Sequence, residues 1–374
     1  MARLLLGEPA PWFTLPSSVN PQYNIDTVGG HRTILLFLGH CSVPTVKRVL
    51  EGFLALQTEL ATAGIPLFAI SIDPHDQPLQ SLVDPNSYCK FLWDFERDVS
   101  RLYGVIQTDK KGQDQYHPQA FILNQRLQIV GIFPIQGQAN FPAQIVDLAR
   151  KLPPDPPLTI ATPQAPVLFV PHLLEPSLCQ KLIALYEADG GRPSGFMRQV
   201  DGKTVEIMDD GFKRRRDLLI TDEQLLAHLN ALMARRLRPE IRKAFQFDIT
   251  RFERYLVACY EEESQGFFNR HRDDTTKGTA HRRFAMTLNL NTGDYEGGYL
   301  RFPEFGPHLY RPGVGEAVIF SCSLLHEATP VTQGGRYVLL NFFYDEPAAQ
   351  IRSQNLEFVL LSDSPPSPAT KPEQ

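Results

Sequence analysis

The sequence predicts two domains of different fold class, an α/β domain followed by a β-rich domain that carries helices. Three observations support this division. Apolar and amphipathic segments alternate up to residue 152, a proline-rich stretch follows at 153–164, and short apolar segments separated by turn residues dominate from residue 251 onward. A chain of 374 residues also exceeds what one hydrophobic core usually organises.

The first domain shows the strand, helix, strand order of a parallel βαβ unit. The apolar run "TILLFLG" (33–39) precedes an amphipathic helical pattern at 46–64, and "PLFAISID" (66–73) is the next strand. Two more strands joined by a turn follow at 119–134, and an amphipathic helix closes the domain. We therefore predict an α/β domain over residues 1–152.

Two segments have compositions that do not favour a packed core. The stretch "LPPDPPLTIATPQAP" contains six prolines and almost no charge, which indicates an extended connector, assigned here to 153–164. The C-terminal piece "SDSPPSPATKPEQ" lacks apolar residues to bury. We predict a disordered tail over residues 362–374.

The second domain, predicted over residues 165–348, begins with helices and continues with strands. Helical patterns occupy 177–188 and 222–245, with Thr221 as the predicted N-cap of the second helix. Short strands such as "ERYLVACY", "FAMTLNL", "EAVIFS" and "RYVLLNFFY" follow, separated by Gly, Pro, Asn and Asp. This pattern is typical of a β-sandwich or jelly roll.

Composition disfavours some classes of function. The formal net charge of −5 provides no basic field for nucleic acid or an anionic membrane. No uninterrupted apolar run is long enough to span a bilayer. The five cysteines are scattered, without a CxxC pair, so reduced thiols and a cytoplasmic location are expected.

The segment "FFNRHRDDTTKG" (267–278) contains a candidate metal site. In an extended strand residues i and i+2 face the same way, so His271 and Asp273 can point into one cavity. An isolated HxD is a weak motif, but His326 follows 53 residues after Asp273, directly beyond an apolar strand. Two imidazoles and one carboxylate are the facial triad of non-haem Fe(II) oxygenases.

Ten residues after His326, Arg336 stands at the head of the apolar strand in "GGRYVLLNFFYDE". Burying a guanidinium there is costly unless it is paired. A carboxylate of a dicarboxylate cosubstrate would supply two parallel hydrogen bonds. A solvated arginine is the alternative, and we favour the ligand interpretation because the triad lies nearby in sequence.

With these motifs in view, the second domain resembles the prolyl-4-hydroxylase-like branch of the Fe(II)/2-oxoglutarate-dependent dioxygenases. The resemblance rests on "YEEESQGFFNRHRDD", "RRFAMTLNLN", "GGYLRF" and "PGVGEAVIFSCSLLHEATPVTQGGRYVLLNFFYDE". It covers roughly residues 165–346. It implies a double-stranded β-helix that hydroxylates an aliphatic C–H and releases succinate and CO2, with ascorbate as an auxiliary reductant.

The resemblance also implies roles for individual residues. His271, Asp273 and His326 would bind Fe(II), and Arg336 would bind the distal carboxylate of 2-oxoglutarate. Tyr260 stands where this family often places a tyrosine toward the cosubstrate, and a core aromatic is an equally good interpretation.

The first domain resembles a thioredoxin-like fold of the peroxiredoxin (AhpC/TSA) type over residues 4–152. Pro118 occupies the position of that fold's cis-proline, so the resemblance predicts a cis peptide bond in the segment Tyr116–Pro118. Cys41 follows the first long strand, where a helix dipole could favour a thiolate. However, peroxiredoxins place a threonine before the reactive cysteine, whereas Thr45 follows Cys41 here. Thioredoxins carry a second cysteine close to the first, and Pro44 stands in its place. We expect a degenerate, non-catalytic domain, with a single-cysteine peroxidase as the alternative.

Several partners and functions stay open at this point. The expected substrate is a small molecule or a peptide, and the first domain is a candidate binding module for a protein partner. Neither nucleic acid nor a membrane is expected, and the oligomeric state is undetermined. The basic run Lys213–Arg216 is either a solvated face or an attractor for an acidic substrate. The competing functions are a thiol redox enzyme using Cys41 and a metal-binding scaffold without turnover.

Overall fold

The computed structural model describes residues 3–155 and 157–360, and the predicted tail at 362–374 lies outside them. The chain divides into two compact units between Thr159 and Ile160, a position inside the predicted connector. Within the described ranges, no helix combines the length and the apolar character needed to cross a membrane.

The first unit is built around a mixed sheet. Its strands are β1 (Thr14–Leu15), β2 (Tyr23–Asn24), β3 (Thr33–Gly39), β4 (Leu67–Ser71), β5 (Cys89–Trp93), β6 (Ile106–Thr108), β7 (Asp114–Tyr116), β8 (Gln119–Leu123) and β9 (Ile129–Pro134). Its helices are α1 (Pro44–Ala55), α2 (Gln57–Thr62), α3 (Asp98–Leu102) and α4 (Phe141–Lys151).

The central sheet of this unit has the order β5-β4-β3-β8-β9. Strands β3, β4 and β5 run parallel, whereas β8 and β9 are antiparallel. Every residue of β3 is buried, because helices α1 and α4 cover one face and a second apolar cluster covers the other. The predicted βαβ unit and thioredoxin-like fold are confirmed.

Two local predictions in this unit were wrong. The helix predicted over 46–64 is two helices, because the backbone leaves the helical conformation at Leu56. The peptide bonds around Pro118 are trans, since the described residues contain no cis peptide bond. The trans form is the lower-energy state of an X–Pro bond, and nothing in this segment overrides that preference.

The second unit contains two sheets and a set of helices. Its strands are β10 (Leu168–Val170), β11 (Arg192–Pro193), β12 (Phe196–Val200), β13 (Lys203–Ile207), β14 (Lys213–Arg214), β15 (Arg216–Leu219), β16 (Arg251–Phe252), β17 (Leu256–Glu261), β18 (Phe267–His271), β19 (Phe284–Asn289), β20 (Glu296–Gly297), β21 (Leu300–Arg301), β22 (Leu309–Tyr310), β23 (Ala317–Ser321), β24 (His326–Ala328), β25 (Val331–Gln333) and β26 (Gly335–Tyr344). Its helices are α5 (Pro176–Asp189), α6 (Glu223–Leu232), α7 (Arg238–Phe245) and α8 (Glu346–Asn355).

The larger sheet has the order β10-β23-β19-β26-β17-β15-β11, and the smaller has the order β14-β18-β24-β21-β22. All strand pairs of both sheets are antiparallel. Helices α5, α6 and α7 pack on the outer face of the larger sheet. The inner face of that sheet and the smaller sheet line a common cavity. This arrangement confirms the predicted jelly-roll architecture.

The helix predicted over 222–245 is interrupted and begins one residue later than expected. Asp222, not Thr221, is the N-cap, and its carboxylate accepts a hydrogen bond from the Leu225 N–H at 2.7 Å. A π-helical turn at Met233–Leu237 separates α6 from α7. Pro239 lacks an N–H for the helical ladder, which accounts for the break just before it.

Candidate active site

Strands β18 and β24 bring the three predicted metal ligands together. His271 ends β18, His326 begins β24, and the two residues are direct cross-strand partners. Asp273 lies two residues beyond β18, where its N–H donates to the Cys322 carbonyl at 2.9 Å. One ligand atom from each of the three side chains can lie within 4.8 Å of the others. The two imidazole Nε2 atoms lie 3.5 and 3.4 Å from the Asp273 carboxylate oxygens.

Backbone carbonyls orient both imidazoles. His271 Nδ1 donates to the Asn269 carbonyl at 2.7 Å, and His326 Nδ1 donates to the Leu324 carbonyl at 3.0 Å. These bonds place the proton on Nδ1 and leave the Nε2 lone pairs facing the carboxylate. The Phe268 ring stacks on His271 with 3.5 Å between ring centroids, which further fixes the ring.

The protonation states of the buried groups suit a cation. Burial favours the protonated form of Asp273, but His326 and His271 outweigh that effect and hold the pKa of the carboxyl below its usual range. Burial, reinforced by His271, lowers the pKa of His326 to about 4. At neutral pH the cluster therefore offers a carboxylate and a neutral imidazole, the forms that bind metals.

A cavity of about 540 Å³ adjoins this cluster, and Arg336 of β26 lies in its wall. Arg336 is 2% exposed, and its Nη2 donates to Asn289 Oδ1 at 3.1 Å. Its Nε has no hydrogen-bond partner, and no carboxylate of the described residues lies within ion-pair distance of the guanidinium. Gly298 makes room for it, because a Cβ at that position would lie 2.8 Å from Arg336 Cδ. A buried guanidinium without an anion is costly, and a ligand carboxylate in the cavity would relieve that cost.

Tyr260 of β17 is the direct cross-strand partner of Arg336 and also lines the cavity. The Arg336 guanidinium lies 5.4 Å from the centroid of its ring. The Tyr260 hydroxyl accepts a hydrogen bond from Arg215 Nη1 at 3.4 Å. The structure thus places Tyr260 beside Arg336, and its ring is also buried in a small apolar cluster with Ala258 and Val338.

Cationic side chains from the run Lys213–Arg216 also reach the cavity. Lys213 is 5% exposed, and burial lowers the pKa of its ammonium well below the usual value. Arg215 is buried beside Asp217, with which it forms a 2.6 Å ion pair. Lys213 and Arg215 therefore do not form a solvated face, and the charge of Arg215 is already paired with Asp217.

Sequence reasoning missed a buried ionic cluster behind the triad. The Glu253 carboxylate accepts two hydrogen bonds from Arg282, at 2.9 and 2.7 Å, and lies 3.0 Å from His281 Nε2. It also missed Arg254, which lines the cavity. The period-two alternation of a strand was the available signal, since Arg254 has the same parity as Tyr260.

The predicted redox thiol, Cys41, lies in the first unit, three residues before α1 begins at Pro44. It is 4% exposed, and its N–H donates to Asp76 Oδ2 at 2.9 Å. Burial, together with the charge of Asp76, raises the pKa of the Cys41 thiol far above the usual value. Burial and the nearby carboxylate thus favour the thiol over the thiolate, against any effect of the helix dipole.

A family model matches part of each unit. Residues 255–344 match the model of the 2OG-Fe(II) oxygenase superfamily, and residues 6–132 match that of the AhpC/TSA family. A PKHD-type hydroxylase of Nitrobacter winogradskyi is 33% identical over 95 residues, which is 23% of this chain and 41% of the relative. The chain thus spans less than half of the length of that hydroxylase.

A putative peroxiredoxin bcp of Coxiella burnetii is 24% identical over 132 residues, 34% of this chain and 87% of the relative. A crystal structure of a prolyl-4-hydroxylase of Pseudomonas putida aligns with 23% identity and a TM-score of 0.37, covering 48% of this chain and 94% of that one. Residues 6–132 are thus similar to the AhpC/TSA family, and residues 255–344 are similar to the 2OG-Fe(II) oxygenase superfamily.

Proposed function

We propose that the second unit hydroxylates an aliphatic C–H bond of a small molecule or a peptide, with conversion of 2-oxoglutarate and O2 to succinate and CO2. The observation that carries this proposal is a His-Asp-His cluster in the wall of a cavity that also contains a buried arginine without an anionic partner. These residues fit the two groups that the family implies, Fe(II) and 2-oxoglutarate.

His271, Asp273 and His326 would hold the iron through two Nε2 atoms and one carboxylate. A metal bound by three groups on one face keeps open positions for cosubstrate and O2. When bound, the iron supplies the activation of O2 that an aliphatic C–H requires. The Asn269 and Leu324 carbonyls keep the imidazole rings oriented for this role.

Arg336 would grip the distal carboxylate of 2-oxoglutarate. Among the described residues, Nε has no hydrogen-bond partner, and Nη2 is held by Asn289, so the guanidinium is partly oriented before the ligand arrives. Tyr260 would border the same ligand. Asn289 is a positioning residue in this proposal, because it acts through Arg336.

Other parts of the proposal depend on the family resemblance and on the cysteine pattern. Ascorbate would keep the iron reduced, and the first unit would bind a protein partner or a peptide. The five cysteines of the chain are free thiols, which supports a reducing, cytoplasmic compartment.

We do not extend the proposal to peroxidase chemistry at Cys41. A peroxidatic cysteine must be an accessible thiolate, whereas this thiol is buried and its pKa is raised. The degenerate interpretation of the first unit therefore has the stronger physical support.

Turnover of 2-oxoglutarate tests the proposal. Iron-loaded full-length protein is given carboxyl-labelled 2-oxoglutarate, O2 and ascorbate, with and without a small-molecule cell extract, and CO2 and succinate are measured. We expect equimolar products that increase with the extract, and no products from His326→Ala. His308→Ala is the matched control, because His308 is exposed and its ring bonds to the Pro163 carbonyl. Iron-bound protein that leaves 2-oxoglutarate unchanged under both conditions would rule the reaction out.

A further inference from the structure

We propose that Arg254 binds a carboxylate of the substrate to be hydroxylated, so that this enzyme acts on acids. The inference rests on the dioxygenase function proposed above and adds the chemical class of its substrate. It starts from an arginine that lines the same cavity as the triad and has no assigned role.

A β-bulge turns Arg254 into the cavity. Phe252 pairs with Phe343, and the next regular pair is Leu256 with Leu340. The three residues 253–255 therefore lie opposite the two residues 341–342 of β26. Such an insertion re-aims side chains and is frequent next to active sites.

The side chains around the bulge follow this geometry. Tyr255 and Cys259 pack into the core beneath the helices. Arg254, Leu256 and Tyr260 line the cavity on the opposite face. Arg254 is exposed to the cavity space. The protein around it nevertheless desolvates the guanidinium enough to lower its pKa.

Among the described residues, no side chain forms a hydrogen bond or an ion pair with Arg254. The nearest candidate in sequence, Glu253, is already occupied by Arg282 and His281. Arg215, which lines the same cavity, is matched by Asp217. Arg254 is thus a cation that the cavity leaves without a counter-charge.

The cosubstrate cannot serve both arginines. Arg336 is paired with Tyr260, which lies six residues from Arg254 along the chain, on the order of 20 Å in an extended strand. 2-Oxoglutarate bound at Arg336 therefore leaves Arg254 for a second anion. A single guanidinium matches the charge and the two oxygens of one carboxylate. The adjacent Arg282 is already neutralised by Glu253, so Arg254 presents one guanidinium on this part of the wall.

The test uses full-length protein loaded with Fe(II) and 2-oxoglutarate without O2. Thermal unfolding is recorded with a panel of N-acetyl-L-amino acids, each paired with its N-acetyl amino acid amide. Within each pair only the carboxylate differs. The acid that raises the Tm most is then titrated by calorimetry against wild type, Arg254→Gln, Arg254→Lys and Arg251→Gln. Arg251 is the matched control, because it is exposed and pairs with Glu346.

We expect at least one acid, but not its amide, to raise the Tm of wild type. Arg254→Gln should weaken its binding roughly 10- to 100-fold, the loss expected for a charge-assisted bond. Arg254→Lys should retain part of the affinity, and Arg251→Gln all of it. The proposal is overturned if no acid raises the Tm, if acids and amides act equally, or if Arg254→Gln binds the acid as wild type does.

The same samples separate this inference from the function on which it rests. The visible absorption band of the iron–2-oxoglutarate chelate should persist in Arg254→Gln, because Arg336 and the triad are unchanged. A normal band with unaltered acid binding in Arg254→Gln refutes the role of Arg254 alone. A band missing from wild type refutes the dioxygenase function itself.

Discussion

Replacing Arg336 by methionine should remove the response to 2-oxoglutarate while leaving the ligand-free protein about as stable as before. The side chain is 2% exposed and has an unsatisfied Nε, an arrangement that costs about 1–3 kcal/mol. The methionine removes that cost. It also leaves Asn289 Oδ1 without its donor, which costs a similar amount. The two effects offset, so the free energy of unfolding should change by no more than about 1 kcal/mol.

The effect on the ligand is much larger. Loss of a charge-assisted, two-pronged contact of about 3 kcal/mol raises the Kd roughly 100-fold. At a 2-oxoglutarate concentration of 100 times the wild-type Kd, the ligand stabilises wild type by about 2.7 kcal/mol. At the same concentration the variant gains about 0.4 kcal/mol, because the ligand only equals its Kd.

Urea unfolding of wild type and Arg336→Met is measured with Fe(II) and without O2. Each protein is unfolded once without 2-oxoglutarate and once at about 100 times the wild-type Kd, which gives four free energies of unfolding. Arg238→Met is the matched control, since Arg238 is more exposed and pairs with Asp248. It should keep the full ligand response. Equal stabilisation of Arg336→Met and wild type by 2-oxoglutarate would show that Arg336 does not bind the cosubstrate.

Two further predictions concern stability and thiol reactivity. Glu253→Gln should destabilise the protein by about 3–5 kcal/mol at pH 7, because it leaves the buried Arg282 unpaired. The pKa of Glu253 is held well below its usual value by Arg282 against the effect of burial. The stabilisation of the folded protein by the Glu253 carboxylate is therefore present above pH about 4.3 and is lost as the pH falls toward the folded-state pKa of Glu253. Urea unfolding of both proteins between pH 7 and pH 3 should show a shrinking difference, and a constant difference would contradict this assignment. Iodoacetamide should alkylate Cys41 at pH 8 much more slowly in the native than in the unfolded protein, as measured by peptide mass spectrometry. Equal rates would show an accessible thiolate.

The two fold classes could be predicted from sequence because each produces a simple pattern. The apolar run of β3 and the amphipathic α1 follow periods that burial imposes on strands and helices. The order of strands in the second unit does not follow from such patterns. Pairs such as β10 with β23 join segments far apart in sequence, and no local signal specifies them.

The candidate site likewise has features that a local sequence pattern predicts and features that depend on long-range pairing. The spacing of His271 and Asp273 was informative, because alternation along an extended strand is a local property. The register that places His326 opposite His271 is long-range, and only the structure gives it. Arg254 has the parity of Tyr260, so alternation along the strand could have placed it on the cavity face, whereas the register shift that separates it from Phe252 requires the partner strand to be known.

The measurement that tests the central claim most directly is an anaerobic titration of the purified protein with Fe(II) and 2-oxoglutarate, monitored by visible absorption. It is made on wild type, on Asp273→Ala, and on Asp274→Ala as the adjacent control, since Asp274 bonds to the Ser323 hydroxyl. The account predicts a chelate band that saturates at one iron per chain in wild type and Asp274→Ala, and no band in Asp273→Ala. No band in wild type, or an undiminished band in Asp273→Ala, would contradict it.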